Sequence, residues 1–208
     1  MDNSNRKRRL KTSKQTVIGI TGTMGSGKSM AASILKDQIP TNDCDAINAG
    51  LQKPGQPGWK ALEQAGLLFV DANGQLDKQK LADALFEDPK RRQKIESLLQ
   101  PLIIEAMDAW IDQQQGVCAV EVPLLFECGL QDHFDQIWTV TCSPDTALKR
   151  LQSGRNIPKQ EARRRLALQM APGQKAELSD VVLANDSTPQ DLKAQIEKHL
   201  APILKERQ

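Results

Sequence analysis

No apolar run in this 208-residue chain approaches the roughly 20 residues that a membrane-crossing helix needs. The longest, Val120 to Phe126, is interrupted by Glu121 and Pro123, so a bilayer-spanning segment and a membrane partner are not expected. The first fifteen residues hold one large apolar side chain, Leu10, and lack the apolar stretch of a secretory signal. Cysteine is scarce and badly spaced for pairing. Cys44, Cys118, Cys128 and Cys142 stand 74, 10 and 14 positions apart, which fits neither a zinc site nor a C-x-x-C redox pair. Reduced thiols are expected, with Cys118 and Cys142 buried in strand-like runs, and the cytoplasm is the expected compartment. Internal repeats and low-complexity segments are also missing.

What remains is ordinary globular material, 39% hydrophobic and 26% charged, enough for one domain with an inserted subdomain. The formal charge of +2 is unevenly placed. Residues 1–15 carry Arg6, Lys7, Arg8, Arg9, Lys11 and Lys14 against Asp2, which reads as a solvated, disordered basic tail. The rest of the chain is slightly acidic, so no nucleic-acid partner is expected. No sequence feature sets an oligomeric state.

Val17 to Thr21 reads VIGIT, a β-branched run that ends at Gly22 and gives way to a helix-forming stretch over Lys28 to Lys36. Further buried strands are expected in VCAVEV at 117–122, IWTVT at 137–141 and VVLAN at 181–185, with helices between them. That alternation predicts an α/β fold with a parallel sheet flanked by helices. From Ile47 to Gln113 the periodicity turns helical. Ile95, Leu98, Leu99, Leu102, Ile103, Met107 and Trp110 mark one amphipathic face, and Pro101 is placed to kink or divide that helix. Arginines concentrate later, at Arg150, Arg155, Arg163, Arg164 and Arg165.

The chemistry enters at Gly22 to Ser29, GTMGSGKS, which satisfies G-x-x-x-x-G-K-[ST] between a strand and a helix. Gly22, Gly25 and Gly27 let backbone N–H groups turn inward toward phosphate oxygens, and the next helix adds its positive end. Lys28 reaches the β- and γ-phosphates, while the Ser29 hydroxyl joins a Mg2+ shell. This pattern alone leaves GTPase, motor and kinase open. Asp71 to Gly74 matches D-x-x-G, yet no N-K-x-D occurs to read guanine, and Asn73-Gly74 is more simply a tight turn. A kinase also needs a base, an acceptor pocket and mobile cations. Asp43 and Asp45 form a D-x-D pair where a second strand would end, read either as an acceptor base or as loop and cap aspartates. Glu121 closes its strand as a magnesium-linked acid or as a structural hydrogen-bonding group. Arg155 and Arg165 are candidate lid cations, while Arg163 and Arg164 read as a solvated face.

Over roughly Thr16 to Leu200 the chain resembles bacterial dephospho-coenzyme A kinases. Beyond the phosphate loop, the resemblance rests on Asp43-Cys44-Asp45 with Ile47, Pro54-Gly55-Gln56-Pro57, Gly74-Gln75-Leu76-Asp77, Phe86 with Asp88, and Pro101-Leu102-Ile103. Val122-Pro123-Leu124-Leu125-Phe126-Glu127, Gly129-Leu130, Arg155, Arg165 with Gln169, and Asp180 with Asn185 extend it. It implies a P-loop, nucleoside-monophosphate-kinase-like fold that transfers the ATP γ-phosphoryl to the ribose 3′-hydroxyl of dephospho-CoA. The core would comprise 16–46, 114–149 and 174–208, the helical acceptor domain 47–113, and the lid 150–173.

Carried over by position, Asp43 is the base, and Gly22, Gly25, Ser26, Gly27, Lys28, Ser29 and Met30 hold ATP with Arg155, Arg165 and Asn185. Lys28 and Arg155 join Asp43 in catalysis, and Ser29 and Glu121 serve Mg2+. Asp43, Asp45, Leu124, Leu125 and Phe126 face the acceptor. The chain departs from the family pattern at Gln100 for His, Glu121 for Asp, Asn156 for Asp, Met30 for Thr, and Asn48-Ala49, which lacks a basic residue. Another nucleoside or nucleotide kinase, or a non-catalytic nucleotide-binding regulator, is the alternative reading.

Overall fold

The computed structural model describes residues 15–155 and 157–206, with the side chains of Phe86, Glu87 and Arg155 left aside. Most of the basic tail, Asn156 and the Arg155 side chain therefore lie outside the described residues. The chain divides into two compact units, one of residues 1–43 with 113–208 and one of residues 44–112.

In the first unit, β1 (Gln15–Gly22) begins one residue before the expected core, so Gln15 is strand rather than tail. The other strands are β2 (Thr41–Asp43), β3 (Gly116–Glu121), β4 (Gln136–Thr141) and β5 (Val181–Ala184). All pair in parallel in the order β2-β3-β1-β4-β5. Chain order reverses at β1: β2 and β3 lie to one side, β4 and β5 to the other. In such sheets the crevice beyond the carboxyl ends of the strands is where ligands bind. β1 is buried along nearly its whole length because both faces are covered, which suits Val17, Ile18 and Ile20. Gly19 has a separate reason: a Cβ there would come 2.8 Å from Leu125 and from Phe134.

The helices of this unit are α1 (Lys28–Lys36), then α6 (Pro144–Arg155), α7 (Lys159–Ala167), α8 (Pro172–Glu177) and α9 (Pro189–Lys205). Ala31, Ala32 and Leu35 of α1 join Leu192, Ile196, Leu200 and Ile203 of α9 in one core over Ile18, Ile20, Trp138 and Val140. A capping box starts α9: Asp191 N donates to the Thr188 hydroxyl oxygen, and Thr188 N donates to the Asp191 carboxylate.

The second unit is helical: α2 (Cys44–Leu51), α3 (Pro57–Gln64), α4 (Lys78–Glu87) and α5 (Pro89–Asp112). Leu62, Leu81, Ala84, Ile95 and Leu99 make its core. Pro101 does not divide α5, which runs unbroken for 24 residues. The proline sits on the exposed side, and Ile95, Leu99, Met107 and Ile111 remain buried before and after it. Packing therefore outweighs the lost backbone hydrogen bond. Asp77 and Asp88 act as caps, accepting from Lys80 N and from Lys90 N and Arg91 N. The D-x-x-G match is a turn, with Asp71 Oδ1 accepting from Asn73 N and Gln75 N. Among the described residues no helix is long and apolar enough to cross a membrane.

Candidate active site

β1 leads straight into the glycine-lined loop, and α1 follows without a break. Gly22, Gly25 and Gly27 have φ of 147°, 82° and 97°, a region that residues with a Cβ rarely adopt. At Gly27 the restriction is also spatial, because a Cβ would run into the Asn185 amide. Gly27 is the N-cap of α1, and among the described residues no side chain caps that end. The positive end of α1 is thus presented to the loop. Inside the loop the fully buried Ser26 hydroxyl has no hydrogen-bond partner among the described residues. A buried hydroxyl is costly to leave unpaired, and an anion in the cradle would pair it. Lys28 Nζ donates across the loop to the Thr23 carbonyl at 3.2 Å.

Beyond the loop, the carboxyl ends of β2 and β3 meet the first turn of α1. Ser29, exposed in the first turn of α1, donates to Glu121 Oε1 at 3.1 Å. Glu121 is only 5% exposed and ends β3. Asp43 ends β2 and stands in register with Glu121 on the neighbouring strand. A hydroxyl and a carboxylate within hydrogen-bond distance are hard oxygen donors of the kind Mg2+ takes, directly or through water, alongside phosphate oxygens. Among the described residues no cluster of three or more His, Cys, Asp or Glu side chains could hold a metal by itself. One hydroxyl and one carboxylate would fill only part of a Mg2+ shell, and phosphate and water oxygens would supply the rest. Asp45 lies in the first turn of α2, in the helical unit, and lines a cavity of about 470 Å³ with Asn48, Gln52, Lys53, Gln75 and Lys78.

The remaining expected residues are placed as follows. Asn185, 2% exposed, donates through Nδ2 to the Ser26 carbonyl at 2.7 Å, so it holds the outer wall of the phosphate loop. Arg165 pairs with Glu161 at 2.7 Å along α7. Met30 is exposed on α1. Of the three apolar residues expected at the acceptor entrance, only Leu124 reaches solvent. Leu125 and Phe126 are core residues, 0% and 5% exposed, and Leu125 fills the space left by Gly19.

Sequence reasoning gave no role to Arg150, which donates through Nη1 to the Gly25 and Ser26 carbonyls at 3.4 and 3.3 Å. Cys142 Sγ also points at the Gly25 carbonyl, at 3.7 Å, and burial pushes its thiol above the ordinary value against the pull of Arg150. Nor did it find the fully buried Lys175, whose ammonium donates to Glu127 at 2.9 Å and to the Pro123 carbonyl at 3.0 Å. Burial raises the Glu127 carboxyl, but hydrogen bonds from Lys175 and Met170 N outweigh that and hold it below the usual carboxylate value. Lys175 stands 48 positions from Glu127, so no local pattern joins the two.

Comparison with known proteins decides among the P-loop enzymes. A family model described as dephospho-CoA kinase matches residues 16–191. This chain belongs to the dephospho-CoA kinase family. The dephospho-CoA kinase of Gloeobacter violaceus is 34% identical over 88% of this chain and 91% of its own length. In three dimensions the chain is similar to TT1252 from Thermus thermophilus, with a TM-score of 0.76 at 28% identity over 90% of this chain and 97% of that one. It also shares its fold with the dephospho-CoA kinase of Campylobacter jejuni, with a TM-score of 0.67 at 18% identity over 93% of this chain and 100% of that one.

Proposed function

We propose that the protein transfers the γ-phosphoryl group of ATP to the ribose 3′-hydroxyl of dephospho-CoA, giving coenzyme A and ADP. Family membership supports the substrate pair, and the observation that carries the chemistry is the Ser29 to Glu121 contact beside Asp43 at the mouth of the phosphate loop. In this reading the N–H groups of Gly25 to Met30 and the Lys28 ammonium surround the β- and γ-phosphates. Asp43 accepts the proton of the 3′-hydroxyl, the freed oxygen bonds to the γ-phosphorus, and the bond from that phosphorus to the bridging oxygen breaks to release ADP. Mg2+, held through Ser29 and Glu121, supplies charge neutralisation on the β- and γ-phosphate oxygens when bound.

Arg155 and Arg165 are assigned to the mobile cations that cover the transferring group, with residues 150–173 as the lid. Residues 47–113 serve as the acceptor domain. There the cavity lined by Asp45, Lys53 and Lys78 offers two ammonium groups and several amides to a phosphorylated acceptor. Of Leu124, Leu125 and Phe126, the exposed Leu124 is the one assigned to touch the acceptor. Asn185 keeps its ATP assignment through the loop wall it holds. The working compartment in this reading is the cytoplasm, in keeping with four free cysteines.

A coupled assay of ADP release tests the reading. Dephospho-CoA should stimulate turnover strongly, whereas adenosine, AMP and shikimate should not. Turnover with another acceptor but none with dephospho-CoA would replace the substrate, and no stimulation by any acceptor would favour a nucleotide-binding regulator.

A further inference from the structure

The phosphate loop is gripped from outside by a residue distant in sequence. Met24 N donates to Gln169 Oε1 at 2.8 Å, joining positions 145 residues apart. Met24 lies between Gly22 and Gly25; the carbonyl of the Thr23–Met24 peptide is held inside the loop by Ser26 N and Lys28 Nζ, whereas its N–H is held from outside by Gln169. Gln169 sits just past the end of α7, where its own N–H bonds back to the Leu166 carbonyl. The neighbouring peptide is tied down separately: Met170 N donates to Glu127 Oε1 at 3.0 Å. The other oxygen of that carboxylate accepts from the fully buried Lys175, which also bonds the Pro123 carbonyl. Pro123 O accepts in turn from Thr21, at the end of β1 next to the loop. The α7–α8 junction is thereby bolted to the same strand end from which the loop springs. Its position is set independently of the Gln169 side chain.

We propose that Gln169 is a positioning residue for the phosphate loop: its side-chain carbonyl, held in place by the Glu127–Lys175 pair, fixes the Met24 peptide and with it the loop shape that ATP meets. The proposal rests on the reading of this loop as the ATP site. Gln169 touches no reacting atom in this account. Its contribution is preorganisation, so its loss acts on ATP affinity rather than on the chemical step.

The test uses the full chain with Gln169→Met, which keeps the length and removes the acceptor, and Gln169→Glu, which keeps an acceptor oxygen. Gln169 is half-buried, so both variants should unfold cooperatively; Gln169→Ala carries the same readouts if Gln169→Met does not fold. Amide exchange followed by NMR should show the Met24 N–H exchanging about tenfold faster or more in Gln169→Met, with the β1 amides unchanged and protection restored in Gln169→Glu. In parallel, KM for ATP should rise roughly three- to tenfold while kcat and KM for dephospho-CoA stay within about twofold. Unchanged Met24 exchange, or faster exchange with an unaltered KM for ATP, would overturn the proposal. If the wild-type protein fails to phosphorylate dephospho-CoA, the functional reading fails instead, and Met24 exchange with the affinity for a non-hydrolysable ATP analogue still decides the role of Gln169.

Discussion

The Ser29 hydroxyl meets the Glu121 carboxylate at 3.1 Å, bringing the first turn of α1 to the end of β3 across 92 residues of sequence. Both groups are hard oxygen donors at the mouth of the glycine-lined loop, which supports the proposed cation site there. Glu121→Gln keeps the size and removes the charge. It is expected to raise the Mg2+ concentration for half-maximal turnover by about 10- to 100-fold, the range seen when groups that orient metal ligands are lost. Titration of activity with Mg2+ at saturating ATP checks this, and an unchanged midpoint would take Glu121 out of that role.

The role proposed for Asp43 is a different one. Asp43→Asn should lower kcat by about two or more orders of magnitude with ATP affinity retained, since a missing base affects the transition state and not nucleotide binding. Steady-state kinetics beside a direct ATP-binding measurement separate the two. A variant with full kcat would leave Asp43 as a capping residue only.

Gly27 combines a φ of 97° with the Asn185 amide in the space a side chain would need. Gly27→Ala therefore carries about 1–2 kcal/mol of backbone cost and a displaced Asn185, and the bond from Asn185 to the Ser26 carbonyl should break. Nucleotide binding should fall by at least tenfold while the sheet core is undisturbed. Calorimetric titration with an ATP analogue, alongside far-UV circular dichroism, is the check.

The Glu127–Lys175 pair has a pH signature. Because the folded carboxyl is held below its ordinary value, its stabilisation is fully present above the unfolded pKa, about 4.5, and is lost as pH falls through the folded value. Glu127→Gln should remove this part of the acid dependence and, at neutral pH, cost about 3 kcal/mol, because the Lys175 ammonium remains buried without its anion. Urea denaturation from pH 7 down to pH 3 would show the variant curve converging on the wild type in acid. Parallel curves would mean that titration of Glu127 contributes nothing to the acid dependence.

What was legible in the sequence was what is local. VIGIT, the glycine spacing and the start of α1 at Lys28 follow from β-branching, missing Cβ atoms and helical periodicity within twenty residues, and the structure has them in place. The parallel sheet followed from four apolar runs with helices between. Pro101 does not divide α5 because its cost is local while the compensation, burial of Ile95 and Ile111 on one face, is spread along the helix. For Leu125 and Phe126 the apolar run said that the side chains avoid water, and not that they pack in the core, Leu125 against Gly19. Arg150, Gln169 and Asn185 reach the phosphate loop from 125, 145 and 159 residues away, and no local pattern encodes such a meeting.

The central claim concerns which oxygen receives the phosphoryl group. Incubating the enzyme with ATP, Mg2+ and dephospho-CoA and following the mixture by 31P NMR tests it most directly. The account predicts a new phosphomonoester resonance coupled to the ribose 3′ proton, appearing in step with ADP. A phosphomonoester at any other position, or ATP loss with no phosphorylated acceptor, would contradict it.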